Sequence, residues 1–252
     1  MSLKKQVTDY HYEIIVVDNE SGDHSLEIAK AFDCTIISIP RKEFTYGHAL
    51  NKGIAACRGE IILILSAHII LINEFFLQKI PAYFSGPEIA ALRFVDVSNK
   101  MQLQNSLRDG EASLRYSDSK DFISIHWNHL PANHCAAISK KAWEEIQYNE
   151  HLIAGEDKEW ALAILKKGLK LFYNVPLFYL YAKPFSRETK IKRAVIEELA
   201  KEKITGLPSR YRGPAFSLKR ILVLPFRKMK NDITVHKEIA RRMKIFASAD
   251  NV

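Results

Sequence analysis

"EIIVVDNESGD", residues 13–23, decides the fold. Its first half is an unbroken apolar, β-branched run with no polar alternate, the pattern of a strand buried on both faces. Its second half is a cluster of turn-forming residues, and "HSLEIAKAF" behind it has helical spacing. The unit strand–turn–helix then repeats outward. "CTIISI" reads as a second strand, residues 47–57 as a helix that stops near Gly59, and "EIILIL" as a third strand. Strands of this uniform apolarity alternating with helices predict an α/β fold with a mostly parallel sheet flanked by helices.

Beyond residue 70, "NEFFLQKIPAYF" reads as a helix and "IAALRFVDV" as a strand. Residues 98–121 are polar and aperiodic, and read as a long loop. "HCAAIS" is a short strand, "KKAWEEIQ" a helix, and "LIAGEDKEWALAILKKG" a second helix. Glu156 and Asp157 in its first turn, Lys166 and Lys167 in its last and Gly168 just beyond match a helix dipole and its usual stop. "LKLFYNV" reads as the closing strand, ending before Pro176. This places one domain over residues 1–182 and a basic helical extension over 183–252.

With 252 residues, 47% of them hydrophobic, the chain suffices for one large α/β domain and an appendage. The N-terminal residues lack the pattern of a secretory signal and no run reaches membrane-spanning length, which gives a cytoplasmic reading. Cys34, Cys57 and Cys135 have neither a CxxC spacing nor an even count, so they read as small buried residues. The net charge of +8 is unevenly spread: residues 1–182 hold 19 Lys and Arg against 22 Asp and Glu, residues 183–245 hold 18 against 6. Such a tail is drawn to anionic surfaces. Its stretch "FSLKRILVLPFRKMK", residues 216–230, reads equally as a peripheral membrane contact or as a packed helix with solvated lysines.

In open α/β sheets ligands bind beyond the carboxyl ends of the strands. Asp18, Ser66 and His68 fall at such ends, and Asp157 opens a helix that could face the same crevice. Each also has a plain structural explanation: a turn cap for Asp18, a satisfied strand-end residue for His68, dipole complementation for Glu156 and Asp157. Their order along the chain separates the two.

That order resembles family 2 glycosyltransferases, inverting enzymes of GT-A type fold. "EIIVVDNESGD" is similar to the family's first diagnostic segment, "FTYGHALNKGIAACRGEIILILSAH" to the second, which leads into the strand carrying the DxD motif, and "AGEDKEWALAILKKGLKLFY" to the third. The resemblance covers residues 4 to about 182. It implies transfer of a sugar from a UDP-, dTDP- or GDP-linked donor to a hydroxyl of a cell-surface polysaccharide or lipid-linked glycan precursor. Asp157 takes the position of the catalytic base, with Glu156 supporting it. Asp18, Ser21, Asn51, Lys52, Ser66 and His68 fall among the donor-binding positions, and Trp127, His126, His129 and Trp160 on the acceptor side.

The chain departs from the family where Ser66-Ala67-His68 replaces the DxD motif. His68 then has three possible roles: a weaker ligand for Mn²⁺ or Mg²⁺, a direct contact to the diphosphate, or none, with lysines and arginines in its stead. Weakened metal dependence is the expectation. The family's first strand, with its Pro-x-x-Asn turn, has no counterpart before "EIIVV", so the resemblance predicts an N-terminally incomplete domain. An alternative of another class follows: a weak or inactive nucleotide- or carbohydrate-binding module of the same fold. "HWNHLPANHC" gathers His126, His129 and His134, yet no carboxylate or thiolate completes a metal set and Pro131 interrupts any helix. There is no GxSxG and no GxxxxGK[ST]. Nucleic acid is not an expected partner.

Overall fold

The computed structural model describes residues 2–119 and 121–208. Its described residues divide into two compact units, one within residues 1–152 and 156–183, the other of residues 153–155 and 184–208. The tail stretch 216–230 lies outside the described residues.

The first unit begins as the sequence predicts. β1 (Ile15–Asp18) passes through α1 (Ser25–Ala31) to β2 (Thr35–Ser38), which pairs with it in parallel. α2 (Tyr46–Ala56) starts at Thr45, whose side chain accepts the His48 N–H as an N-cap. Two glycines set how closely this helix packs. A Cβ on Gly53 would stand 2.9 Å from Val17 Cγ2, and one on Gly47 would stand 2.5 Å from the Asn149 carbonyl oxygen. Only hydrogen fits at either place.

β3 (Ile61–Leu65), β4 (Ile69–Leu71), the short α3 (Phe76–Lys79) and β5 (Ile89–Asp96) follow. Residues 98–121, expected as a loop, instead contain α4 (Lys100–Asp109) and β6 (Ala112–Leu114). Asn99 caps α4 by accepting the Gln102 N–H, and Gly110 ends it at φ 68°, a backbone that favours glycine. The helix carries little apolar periodicity, so its caps were the legible signal. α5 (Phe122–His126), β7 (Cys135–Ser139), α6 (Lys140–Glu145) and α7 (Glu156–Lys166) come next. Gly168 at φ 89° stops the last of these.

β8 (Lys170–Tyr181) runs past Pro176, where the sequence predicts its end. Proline is tolerated in a strand at a bulge. Asn174 turns at φ 54°, the pairing register slips on both sides of Phe94, and Pro176 sits exposed where no ladder bond is needed.

β3, β7, β5, β8 and β4 lie side by side in that order, with β6 also on β8. β5 and β8 are parallel, while β7, β4 and β6 run antiparallel to their neighbours. β7 therefore holds β3 and β5 in a common direction. One sheet face carries the main core, with Phe76, Leu92, Phe94, Cys135, Ala137 and Val175 buried together. Residues two apart share a face. Ile62, Ile64, Ala136 and Ile138 are thus on the opposite face, also buried, and the register puts Arg93 in one row with Ala136 and Ile64.

In the second unit α8 (Arg187–Thr205) is capped by Ser186 and ended by Gly206 at φ 67°. Gly155, at φ 81°, faces Ile204 Cδ1, which an added Cβ would meet at 2.9 Å. No helix among the described residues is long and apolar enough to cross a membrane.

Candidate active site

The first turn of α7 presents two adjacent carboxyl groups in different surroundings. Glu156 is 6% exposed, and burial, reinforced by the neighbouring Asp157 charge, pushes its carboxyl up to about 7. Asp157 is half-buried. Asn133, just before β7, ties both down. Its backbone N–H donates to Asp157 Oδ2 at 3.3 Å and its side-chain amide to Glu156 Oε1 at 3.4 Å. The buried Tyr148 hydroxyl donates to Asn133 Oδ1 at 3.2 Å. Lys158 fastens the same segment to the helix, its ammonium donating to the Leu130 and Pro131 carbonyls at 2.8 Å each.

The next residue, His134, joins this group to the end of β3. Its carbonyl accepts the Ser66 N–H at 2.9 Å. Burial brings its imidazole down to about 4, so at neutral pH the ring is uncharged, and its Nε2 shares a hydrogen bond with the Tyr179 hydroxyl across 2.8 Å. Tyr181 stands edge-on to His134 at 5.4 Å and tilted to His68 at 6.1 Å. The His68 carbonyl accepts the Ala182 N–H at 2.8 Å. Ser66, His68, Glu156 and Asp157 are therefore strung along one continuous set of contacts.

Other residues singled out by the sequence stand differently. Asp18 is buried at the end of β1, where both carboxylate oxygens face the Ser21 N–H at 3.2 and 3.3 Å. Arg41 braces that turn through the Glu20 carbonyl at 2.7 Å. Lys52 is exposed on α2, with its charge near Glu150. Asn51, expected to touch the donor, has no capacity left. Its amide N–H groups donate to the Tyr148 carbonyl and Glu150 Oε1 at 2.9 and 2.8 Å, and its oxygen accepts from Trp143 Nε1 and the Tyr148 N–H at 3.0 Å each. Two donors and two lone pairs are all that an asparagine side chain offers. Trp160, expected on the acceptor side, is 1% exposed and its indole N–H donates to the Ile146 carbonyl, so it is core. Ile164, four residues on, is buried on the same helix face.

The three histidines of the 126–135 segment separate. His126 and His129 face each other Nδ1 to Nδ1 at 3.1 Å, so one must be deprotonated there, and burial lowers the pKa of both. His129 also stacks on Tyr173 at 4.2 Å. His134 belongs to the Tyr179 contact instead. Trp127 is half-buried between them in sequence.

The fit to a divalent metal is poor. Burial, then the nearby Lys183 charge, lowers the His68 pKa, which leaves a neutral imidazole able to ligate. Yet no three His, Cys, Asp or Glu side chains gather as a metal set among the described residues. His68 alone does not hold an ion.

Asn133 and Tyr148 carry much of this arrangement and were not singled out from the sequence, nor was Arg93, whose charge Asp157 lies near. Arg93 left one signal there: it is the lone charge inside the apolar run "IAALRFV".

A Glycosyl transferase family 2 model matches residues 1–147. An O-antigen chain rhamnosyltransferase of Salmonella typhimurium is 25% identical over 178 residues, 67% of this chain and 56% of that protein. A dolichyl N-acetyl-glucosaminyl phosphate glycosyltransferase of Methanococcus voltae is 23% identical, covering 76% of this chain and 63% of that one. The chain thus spans little more than half the length of these curated relatives. Among solved structures, a mannosyltransferase from Pyrobaculum calidifontis in complex with GDP-Man and Mn²⁺ superposes with TM-score 0.62 at 17% identity, over 98% of this chain and 69% of that one. S. aureus TarS with UDP gives TM-score 0.55 at 16% identity, over 94% and 74%.

Proposed function

The chain belongs to glycosyl transferase family 2, and from that premise we propose that it transfers a sugar, with inversion, from a nucleoside-diphosphate sugar to a hydroxyl group of a cell-surface polysaccharide or lipid-linked glycan precursor. The observation that carries this reading is the carboxyl pair at the start of α7. Asp157 and Glu156 are both held by Asn133, and the adjacent His134 connects them to the β3 terminus. Asp157 removes the proton of the acceptor hydroxyl as that oxygen attacks the anomeric carbon opposite the leaving nucleoside diphosphate. Glu156, holding its proton near neutral pH, keeps a second negative charge away from the base.

Asp18 at the end of β1, with Ser21, is proposed to hold the nucleoside, and Ser66 and His68 the diphosphate end of the donor. Because His68 is neutral, Lys183 beside it supplies charge for the phosphates. Mn²⁺ or Mg²⁺ stays in the proposal only as an enhancer, since no three His, Cys, Asp or Glu side chains gather to hold it among the described residues. Trp127, with the His126–His129 pair, is proposed to line the acceptor side. The basic 183–252 segment is proposed to keep the chain, as a cytoplasmic protein, at an anionic membrane surface.

Two of the relatives are O-antigen rhamnosyltransferases, so a dTDP-linked deoxyhexose is the first donor to try, before UDP- and GDP-linked hexoses. Incubation of each donor with lipid-linked oligosaccharide acceptors, with and without chelator, reads product by mass and anomeric configuration by NMR. Retained configuration rejects inversion, and undiminished turnover in chelator rejects the metal. The lone His68 favours a second reading, a binding module without chemistry; nucleoside-diphosphate binding with no product from any donor would establish it.

A further inference from the structure

We propose that the guanidinium of Arg93 is a phosphate-binding cation of the cleft, left unpartnered by the protein so that a phosphate oxygen of a substrate completes it. This deepens the transfer reading and rests on it.

Arg93 lies on β5, and on its β7 side the row continues through Ala136 and Ile64, both apolar. An arginine in such a row needs partners, because a buried guanidinium without hydrogen bonds is among the costlier states a side chain can adopt. Its Nε is closed off from solvent and has no hydrogen-bond partner. Neither Asp157 nor Asp96, the two carboxylates whose charge it feels, forms an ion pair with it. Asp96 spends one oxygen on the Ser98 N–H and hydroxyl at 2.9 and 2.6 Å, and Asp157 accepts from Asn133 and Lys158.

The residue as a whole is only partly covered, while Nε is closed off. Arginine cannot discard its proton, so the charge stays. Burial acts against it, and Tyr179, Asp157 and Asp96 act for it. His129 and His134 sense the Arg93 charge, and burial lowers the pKa of both. A cation flanked by apolar side chains on β7 and β3, within reach of the proposed base's charge and without an ion pair, is what a phosphate oxygen would satisfy with charge-assisted hydrogen bonds. That phosphate can come from the donor diphosphate or from a lipid phosphate on the acceptor.

The test uses the full chain and its Arg93→Met, Arg93→Gln and Arg93→Lys variants. Calorimetric titration compares UDP and dTDP with their nucleosides in one arm, and a polyprenyl phosphate in detergent micelles in the other. Loss of about 10- to 100-fold in affinity for the phosphate-bearing ligand, with nucleoside affinity unchanged, is expected in one arm and names the source. Arg93→Lys, which keeps the charge and loses the planar fork, should lose about 10-fold. Without ligand, Arg93→Met should melt no lower than the parent, because an unpartnered cation has been replaced by a packed apolar chain. Unchanged affinity in both arms overturns the inference, as does a melting point depressed in Arg93→Met while phosphate affinity survives. A parent protein that binds no phosphate ligand at all would remove the transfer reading along with it.

Discussion

Two asparagines meet at Tyr148, and they are used in opposite ways. Asn51 takes the Tyr148 backbone N–H and carbonyl into a set of four bonds between 2.8 and 3.0 Å, together with Trp143 and Glu150. Asn133 takes the same tyrosine's hydroxyl at 3.2 Å and spends its remaining donors on two carboxyl groups at 3.3 and 3.4 Å. The first node is saturated and buried. The second is stretched and half-open, with a raised carboxyl on one side and an unpartnered arginine nearby. Saturated polar nodes fix a fold, whereas incomplete ones leave capacity for a ligand. A residue type in a conserved-looking motif does not reveal which kind it is; the count of its partners does.

Four changes break or sharpen that contrast. The largest effect is expected from Asp157→Asn, which keeps the shape and removes the base. Sugar transfer should fall about 10³-fold with little change in melting temperature. Survival of activity would move the chemistry away from the stretched node. Next, Asn51→Ala should destabilise the protein by about 2–4 kcal/mol in denaturant unfolding, since it orphans a buried indole N–H and a backbone amide. Nucleoside-diphosphate affinity of the folded protein should hold.

Glu156→Gln should act through pH. The folded-state pKa of Glu156, about 7, lies above its ordinary 4.5, so its contribution is complete below 4.5 and lost as pH rises through 7. The glutamine variant, neutral throughout, should match the parent at pH 4 and exceed it by about 2–3 kcal/mol at pH 8. Equal stabilities at pH 8 would mean that Glu156 is not raised. Asn133→Ala should show the smallest loss of stability, about 1 kcal/mol, and yet a fall in turnover of about 10-fold. If it proved as destabilising as Asn51→Ala, the two nodes would be alike.

What the sequence made legible followed from periodicity. β1, β3 and α7 were marked by apolar runs and by Gly168 at the helix end. α4 was missed because a polar surface helix gives no stripe, although Asn99 and Gly110 bracket it. β8 was cut short at Pro176 because proline normally ends a strand, and the bulge that admits it depends on Asn174 taking a left-handed backbone. The carboxyl pair could be placed from its position at a helix start. Asn51 and Trp160 could not be excluded from a ligand site, because their partners lie about ninety and fourteen residues away in sequence. Arg93 needed the sheet register, which alone sets it beside Ala136 and Ile64.

Gly47 has a reach out of proportion to its size. Its missing carbon lets the start of α2 rest against Asn149, one residue from the tyrosine that both asparagines grip. A single methyl at position 47 would wedge the 148–150 loop outward and detune the carboxyl pair a hundred residues downstream. Mutational libraries aimed at new donors should therefore hold this position fixed and vary the crevice around it.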